Sequence, residues 1–302
     1  MRWCKIGLIH APDGTLSWAR SHAMLPTPLD MGDGRLRIYV AFVDQNTVGR
    51  IGYVDVAARD PSRVLEVSNT PVLDIGEPGA FDDNGVNPSS IVRVGNEVWL
   101  YYIGYQLGIH VRYLLFSGLA ISRDGGTTFK RHSRAPILDR SNSELLLRSA
   151  PHVTSDGTPW RMWYVAGDRH ISAGGTTRPT YNVRFIESDD GVHWPTSGEV
   201  AVQLDRGEYG LGRPFIAEWD GLHHIFYSVR SHARGYRLGY AVSTDRQVWV
   251  RRDDEVGIDV SDLGWDSEML IWASVISTEY GTYLFYNGNG YGETGFGYAV
   301  LE

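Results

Sequence analysis

The chain has 302 residues, 42% of them hydrophobic and 21% charged, with 35 glycines, a composition that excludes intrinsic disorder and describes a turn-rich globule. Its formal net charge of −8, without any lysine or arginine block, excludes nucleic acid as an expected partner. One cysteine, Cys4, excludes an internal disulfide framework, and no run approaches the roughly 18 apolar residues of a membrane helix.

In chain order, the first element is WCKIGLIH, a short strand too polar for a signal segment, so a soluble cytoplasmic protein without membrane insertion is expected. Three strand patterns then recur. The first is a short apolar run: TPLDM, NPSSIVRV, APHVTS, RPFIAE and ASVIST. Each is followed by a turn and an aromatic strand: GDGRLRIYVAF, VGNEVWLYYIG, DGTPWRMWYVAG, WDGLHHIFYSV and EYGTYLFYNG. Together they read as a hairpin. The third run in each unit is RIGYVDV, SGLAISRD, NVRFIESD, LGYAVSTD or FGYAVLE. Aligned on Tyr39, Tyr101, Trp163, Phe226 and Phe285, the units repeat at intervals of 62, 62, 63 and 59 residues, the signature of a repeat architecture.

Three copies continue into a turn and an aromatic: Ser122, Asp124 and Phe129; Ser188, Asp190 and Trp194; Ser243, Asp245 and Trp249. The Ser and Asp side chains accept hydrogen bonds from turn amides while the aromatic packs between sheets, which predicts hairpins into a fourth strand. The motif resembles the Asp box of sialidase-like propellers, one residue shorter in two copies.

Units of about 60 residues with four antiparallel strands specify an all-β fold, a five-bladed β-propeller in a single domain over residues 1–302. The expected blades are 22–73, 82–138, 146–203, 208–259 and 266–302, with residues 1–12 as the closing strand of blade five. Trp3 and Lys5 match Phe129 with Arg131 and Trp249 with Arg251, so the N-terminal strand supplies the fourth strand that the last blade lacks.

The inner strands of a propeller line its channel, so the residues entering them are the candidate site. Upstream stand Asp83, Glu144, Glu208 and Glu268, one acid for each of blades two to five, and blade one offers His22. Glycosidic cleavage needs one acid to protonate the leaving oxygen and one carboxylate to activate water or attack the anomeric carbon. Glu208 and Glu268 are the favoured pair, with Glu144 and Asp83 tuning them. In GWDSEMLIWAS, Asp266 reads as the turn acid and Glu268 as the channel acid. The run FDDNGVNPS fits an Asx-rich turn equally well, and Glu144 beside Arg148 fits an ion pair sealing the axis.

Arg148, Arg178 and Arg213 suit bidentate binding of a carboxylate or phosphate. Asn87, Asp168, Tyr181, Asn287 and Trp272 add amide, carboxylate and ring-face contacts suited to a sugar. Arg112, Tyr113 and Arg230 follow the second strands toward the same funnel. The expected ligand is a small sugar, anionic or nucleotide-linked. No HExxH, CxxC or EF-hand pattern is present, so neither metal nor cofactor is expected.

The five-bladed repeat and the X-Pro starts of its inner strands resemble the arabinanase, levansucrase and invertase superfamily, which includes family 43 and family 32 glycoside hydrolases. The stretches SELLLRSAPHV, RMWYVAG, GIDVSDLGWDSEM and YNGNGYGETGFGYAVLE are similar to glycosidase-like propellers of bacterial polysaccharide and sugar-modification gene clusters. The resemblance implies a glycosidase or transglycosidase with three axial acids, two of them before proline. Here the residues before the corresponding prolines read as Thr27, Asn87, Ala150 and Arg213. None is an acid, so those catalytic residues do not carry over. A non-catalytic sugar-binding propeller, or elimination or epimerisation of an activated sugar, are the alternatives.

Overall fold

The structure, a computed structural model, describes residues 1–173 and 176–302, without the side chains of residues 168, 173 and 176. Strand β1 is Trp3–His10. Strands β2 (Ser21–Asp30), β3 (Arg35–Val43), β4 (Gly49–Ala57) and β5 (Asp60–Val67) form an antiparallel sheet in sequence order. The same pairing holds for β6 (Val86–Val94), β7 (Glu97–Leu107), β8 (Tyr113–Ser122) and β9 (Lys130–Arg131). It holds again for β10 (Leu147–Thr154), β11 (Trp160–Ala173), β12 (Thr176–Ser188) and β13 (Glu199–Val202). Strands β14 (Glu208–Trp219), β15 (Leu222–Ser231), β16 (Arg237–Ser243) and β17 (Val250–Arg251) repeat it once more. Single parallel bridges, Leu147 with Leu115 and Tyr181 with Gly210, tie these three units into one long sheet.

The last unit contains β18 (Ile271–Thr278), β19 (Gly281–Asn287) and β20 (Phe296–Leu301). Strand β1 pairs with β20, Trp3 lying opposite Leu301 and His10 opposite Phe296. Local chemistry sets the hairpins. Between β14 and β15, Asp220 and Gly221 adopt φ of 51° and 72°, the doubly left-handed turn that Asp-Gly favours.

The second strand of each unit is buried on both faces, and alternate residues enter different cores. Leu100 and Tyr102 pack within one cluster, while Tyr101 joins Trp160, Met162 and Tyr164 of the next unit. Trp163 reaches forward to Ile225 and Tyr227, Phe226 to Leu284 and Tyr286, and Phe285 returns to Ile38 and Phe42 of the first unit. The repeated aromatics are therefore the residues that join neighbouring sheets. Truncating one costs about 3–5 kcal/mol in a close-packed core.

The predicted turns carry their predicted bonds. Asp124 Oδ1 accepts the amides of Thr127 and Thr128, and Asp190 and Asp245 do the same for the residues that follow them. Tyr39 and Tyr101 donate to the carbonyls of Gly126 and Gly191 in these turns, at 2.7 and 2.9 Å.

Candidate functional site

Each first strand is broken by a register shift: Met24/Thr27, Pro88/Ser90, Ser149/His152, Gly212/Phe215 and Ile271/Ser274. At four of these bulges a non-glycine residue sits in the left-handed region, with φ of 54° at Leu25, 52° at Ala150, 39° at Arg213 and 59° at Trp272. Such strain persists only where the surroundings enforce it, and it gathers at functional sites. With Asn87, these residues all line one cavity of about 520 Å³. In the first unit the lining residue is Leu25, before Pro26, rather than Thr27. Leu25 precedes Tyr39 by 14 residues, as Asn87 precedes Tyr101. Thr27 instead accepts a hydrogen bond from Arg213.

Three guanidinium-bearing residues, Arg112, Arg213 and Arg230, line the cavity, and no Asp or Glu does so among the described residues. Arg230 donates to Tyr181 Oη at 2.9 Å and lies 4.9 Å from the ring centre of Tyr209 and 5.3 Å from that of Tyr236. Burial raises the pKa of Tyr105, Tyr181 and Tyr236. These lining tyrosines therefore stay protonated at neutral pH and can act as hydrogen-bond donors.

Arg213 is buried and, among the described residues, forms no ion pair with a carboxylate. Its Nη1 donates to Trp272 O at 2.7 Å and Ala273 O at 3.4 Å, and its Nη2 to Pro26 O at 3.0 Å, Thr27 Oγ1 at 2.8 Å and Ser89 O at 3.3 Å. One side chain of β14 thus binds β18, β2 and β6. Burial pulls its pKa below the ordinary guanidinium value.

On β10, burial and then the Arg213 charge push the pKa of His152 down to about 3 from 6.5. Between those values the unfolded chain binds a proton that the folded protein excludes. Stability linked to His152 is therefore complete above pH 6.5 and falls as pH drops toward 3, by about 1.4 kcal/mol per pH unit. Denaturant titrations at pH 7.5 and pH 5 are expected to show a loss about 2 kcal/mol smaller in His152→Gln than in wild type. Equal losses would exclude His152 as the linked group.

None of the four candidate acids lines the cavity. Glu144 is buried, accepting from Tyr164 Oη at 2.8 Å, Gly198 N at 2.8 Å and Arg184 Nη1 at 3.2 Å, and pairing with Arg148 Nε. Arg148 spends its other donors on Tyr164 Oη and the carbonyls of Asp139 and Pro195. Glu208 takes both ends of Arg251, at 2.9 and 3.0 Å. Asp83 accepts the Gly79 amide as a turn residue, and the neighbouring Asp82 is the buried acid, bound by Tyr102 Oη at 2.9 Å and Arg131 Nε at 2.8 Å.

Within GWDSEMLIWAS it is Asp266, not Glu268, that turns inward, and neither lines the cavity. Asp266 is buried against Tyr286 Oη at 3.0 Å and Lys5 Nζ at 2.7 Å, whereas Glu268 is exposed. The pairs Asp82–Tyr102, Glu144–Tyr164 and Asp266–Tyr286 share a spacing of 20 residues. Arg131, Arg251 and Lys5 all come from the outermost strands. An acid and the tyrosine of the second strand thus form a recurring buried lock, completed by an outer-strand cation at Asp82 (Arg131) and Asp266 (Lys5) and by Arg148 and Arg184 at Glu144. In the β14–β17 unit Tyr227 bonds to Asp253 instead, at 2.6 Å.

Of the expected ligand contacts, Asn87, Tyr181, Trp272 and Arg213 line the cavity. Asn87 Nδ2 reaches Tyr105 Oη at 3.2 Å. Arg178 donates to Tyr209 Oη at 2.8 Å outside the lining. His22 is half-buried, with Nδ1 2.9 Å from Ser21 Oγ, also outside the lining. Asn287 is consumed structurally, accepting Leu25 N at 2.9 Å and donating to Ala23 O at 2.7 Å and Gly295 O at 2.8 Å. The side chain of Asp168 lies outside the described residues. Tyr105, Tyr236 and Tyr291 were missed by the sequence reading, although Tyr105 follows the repeated aromatic Tyr101 by four residues on β7. Among the described residues no cluster of His, Cys, Asp and Glu could hold a metal, and no helix is long and apolar enough to cross a membrane.

No family model matches the chain. A thermostable family-43 glycoside hydrolase superimposes with TM-score 0.69 at 15% identity, over 95% of this chain and 90% of that one. The GH32 β-fructofuranosidase of Bombyx mori gives 0.65 at 15% identity, over 99% of this chain and 61% of that one. Such structural neighbours are five-bladed β-propeller glycoside hydrolases, and at these identities the likeness concerns the fold. In sequence, the uncharacterized protein Rv1502 of Mycobacterium tuberculosis is 36% identical across 100% of both chains. The chain therefore belongs to the Rv1502 family, built on the fold of the arabinanase, levansucrase and invertase superfamily.

Proposed function

We propose that the sheets are five blades of a closed ring and that its central cavity binds a sugar bearing a carboxylate or phosphate. The observation that carries this reading is a described lining with three guanidinium-bearing residues and no carboxylate. Such a lining favours an anion, and tyrosine and tryptophan faces suit the CH face of a sugar ring. Arg230, braced by its tyrosines, and Arg112 hold the anionic group. Arg213 contributes positive potential from the floor. The acids in the buried locks fasten the blades, so their carboxylates are committed to structure.

Titration calorimetry with mass-spectrometric product analysis tests this on glucuronate, galacturonate and hexose 6-phosphates beside their neutral parents. Acidic sugars are expected to bind, neutral ones to bind at least tenfold more weakly, and Arg230→Gln to weaken the acidic ones by about 10–100-fold. Equal affinity for neutral and acidic sugars would overturn the reading. Hydrolysis is the second reading, because Glu268 is exposed and makes no ion pair among the described residues. Cleavage of an aryl glycoside that disappears in Glu268→Gln would establish it.

A further inference from the structure

With 36 acidic residues against 28 basic ones, the chain has carboxylates to spare. Among the described residues, every arginine that is buried or half-buried forms an ion pair with one of them, except Arg178, Arg213 and Arg230. Arg213 spends its Nη donors on backbone carbonyls and Thr27. The other two keep donors in hand. Arg230 Nη1 donates to Tyr181 Oη and Arg178 Nη1 to Tyr209 Oη, and the Nη2 of each has no acceptor among the described residues. A partly desolvated guanidinium without a counter-charge is costly. Two of them in one place point to an anionic partner from outside the chain.

Both stand against one ring. Tyr209 is buried where β12 meets β14, next to Gly210, which bridges Tyr181. Its ring centre lies 4.9 Å from the guanidinium carbon of Arg230 and 5.3 Å from that of Arg178. Those distances laid end to end bound the separation of the two charges at about 10 Å. Arg178 is outside the cavity lining, but Pro179, the next residue of β12, belongs to it. Arg178 therefore stands at the margin of the cavity, while Arg230 is part of its wall.

We infer that Arg178 is a second anion-binding point, and that the ligand carries two anionic groups, one at Arg230 in the cavity and one at Arg178 at its margin. This rests on the anionic-sugar reading and adds a second charge to it. Acidic groups on adjoining sugar units, or the phosphates of a sugar diphosphate, fall within the span between the two guanidiniums. A singly charged monosaccharide fills one point and leaves the other bare.

Calorimetry with galacturonate, digalacturonate, uridine diphosphate glucose and a disaccharide of one uronate and one neutral unit tests the inference. At least one doubly charged probe is expected to bind at least about tenfold more tightly than galacturonate. Which probe does so identifies the source of the charges as adjoining acidic sugars or a diphosphate. Arg178→Gln is expected to remove that advantage and to leave galacturonate affinity as it was, which also shows that the variant is folded. Arg230→Gln should weaken the singly and doubly charged probes alike. Doubly charged probes no tighter than galacturonate, a mixed disaccharide that matches the tighter of them, or an advantage that survives Arg178→Gln would overturn the second point and leave the anionic-sugar reading standing. Binding of none of the four probes would overturn both.

Discussion

Glu144→Gln is expected to destabilise the protein by about 3–5 kcal/mol, because it removes the charge that two guanidiniums were desolvated to meet. Glu144 is fully buried, with Arg148 at 4% and Arg184 at 19% side-chain exposure. The amide nitrogen of Gln would also face a donor where an acceptor stood, leaving Arg148 Nε or Tyr164 Oη without its partner. Urea denaturation should show a lower midpoint with an unchanged slope, the sign of lost stability rather than an altered denatured state. Glu268→Gln is the control. Its exposed carboxylate predicts a change within about 0.5 kcal/mol. Equal midpoints for the two variants would mean that Glu144 is not a fastening residue.

Arg213→Met is expected to cost about 4 kcal/mol or more. Methionine fills most of the volume, but five acceptors on three other strands lose their donor, and those on Pro26, Thr27, Ser89 and Ala273 belong to buried residues, where water does not readily replace it. Arg213→Lys should recover only part of the loss, since an ammonium offers a point charge where a planar fork reaches two directions at once. A variant as stable as wild type would show that burying the charge costs as much as its hydrogen bonds return, as happens when some buried ion pairs are replaced by apolar residues.

The strand plan was legible because the aromatics of the second strands join adjacent sheets, and that duty recurs with the repeat. The acids were harder to read. An acid at a strand entrance has the same spacing whether it faces a ligand or a neighbouring tyrosine, and in the pairs Asp82/Asp83 and Asp266/Glu268 only the folded chain decides which residue turns inward. The distinguishing signal was the tyrosine 20 residues on, joined at Asp82 and Asp266 by a cation on the outermost strand. In LPTPL, two prolines offer themselves as the strand start, and the bulge at Leu25 selects the first. Arg213 was legible as a channel residue. Its consumption by carbonyls was not, because backbone acceptors leave no trace in side-chain identity.

The pairing of β1 with β20 has a consequence for how the chain is made. Lys5 finds Asp266 across 261 residues of sequence, and Trp3 joins a cluster with Phe226 and Tyr286. On the ribosome the first strand emerges with neither its hydrogen-bonding neighbour nor its counter-charge yet synthesised. It must stay unpaired while the intervening sheets assemble, during which its open edge is available to other nascent chains. The last sheet is therefore completed only after translation has delivered Leu301, and the contacts of highest sequence separation form in the final step.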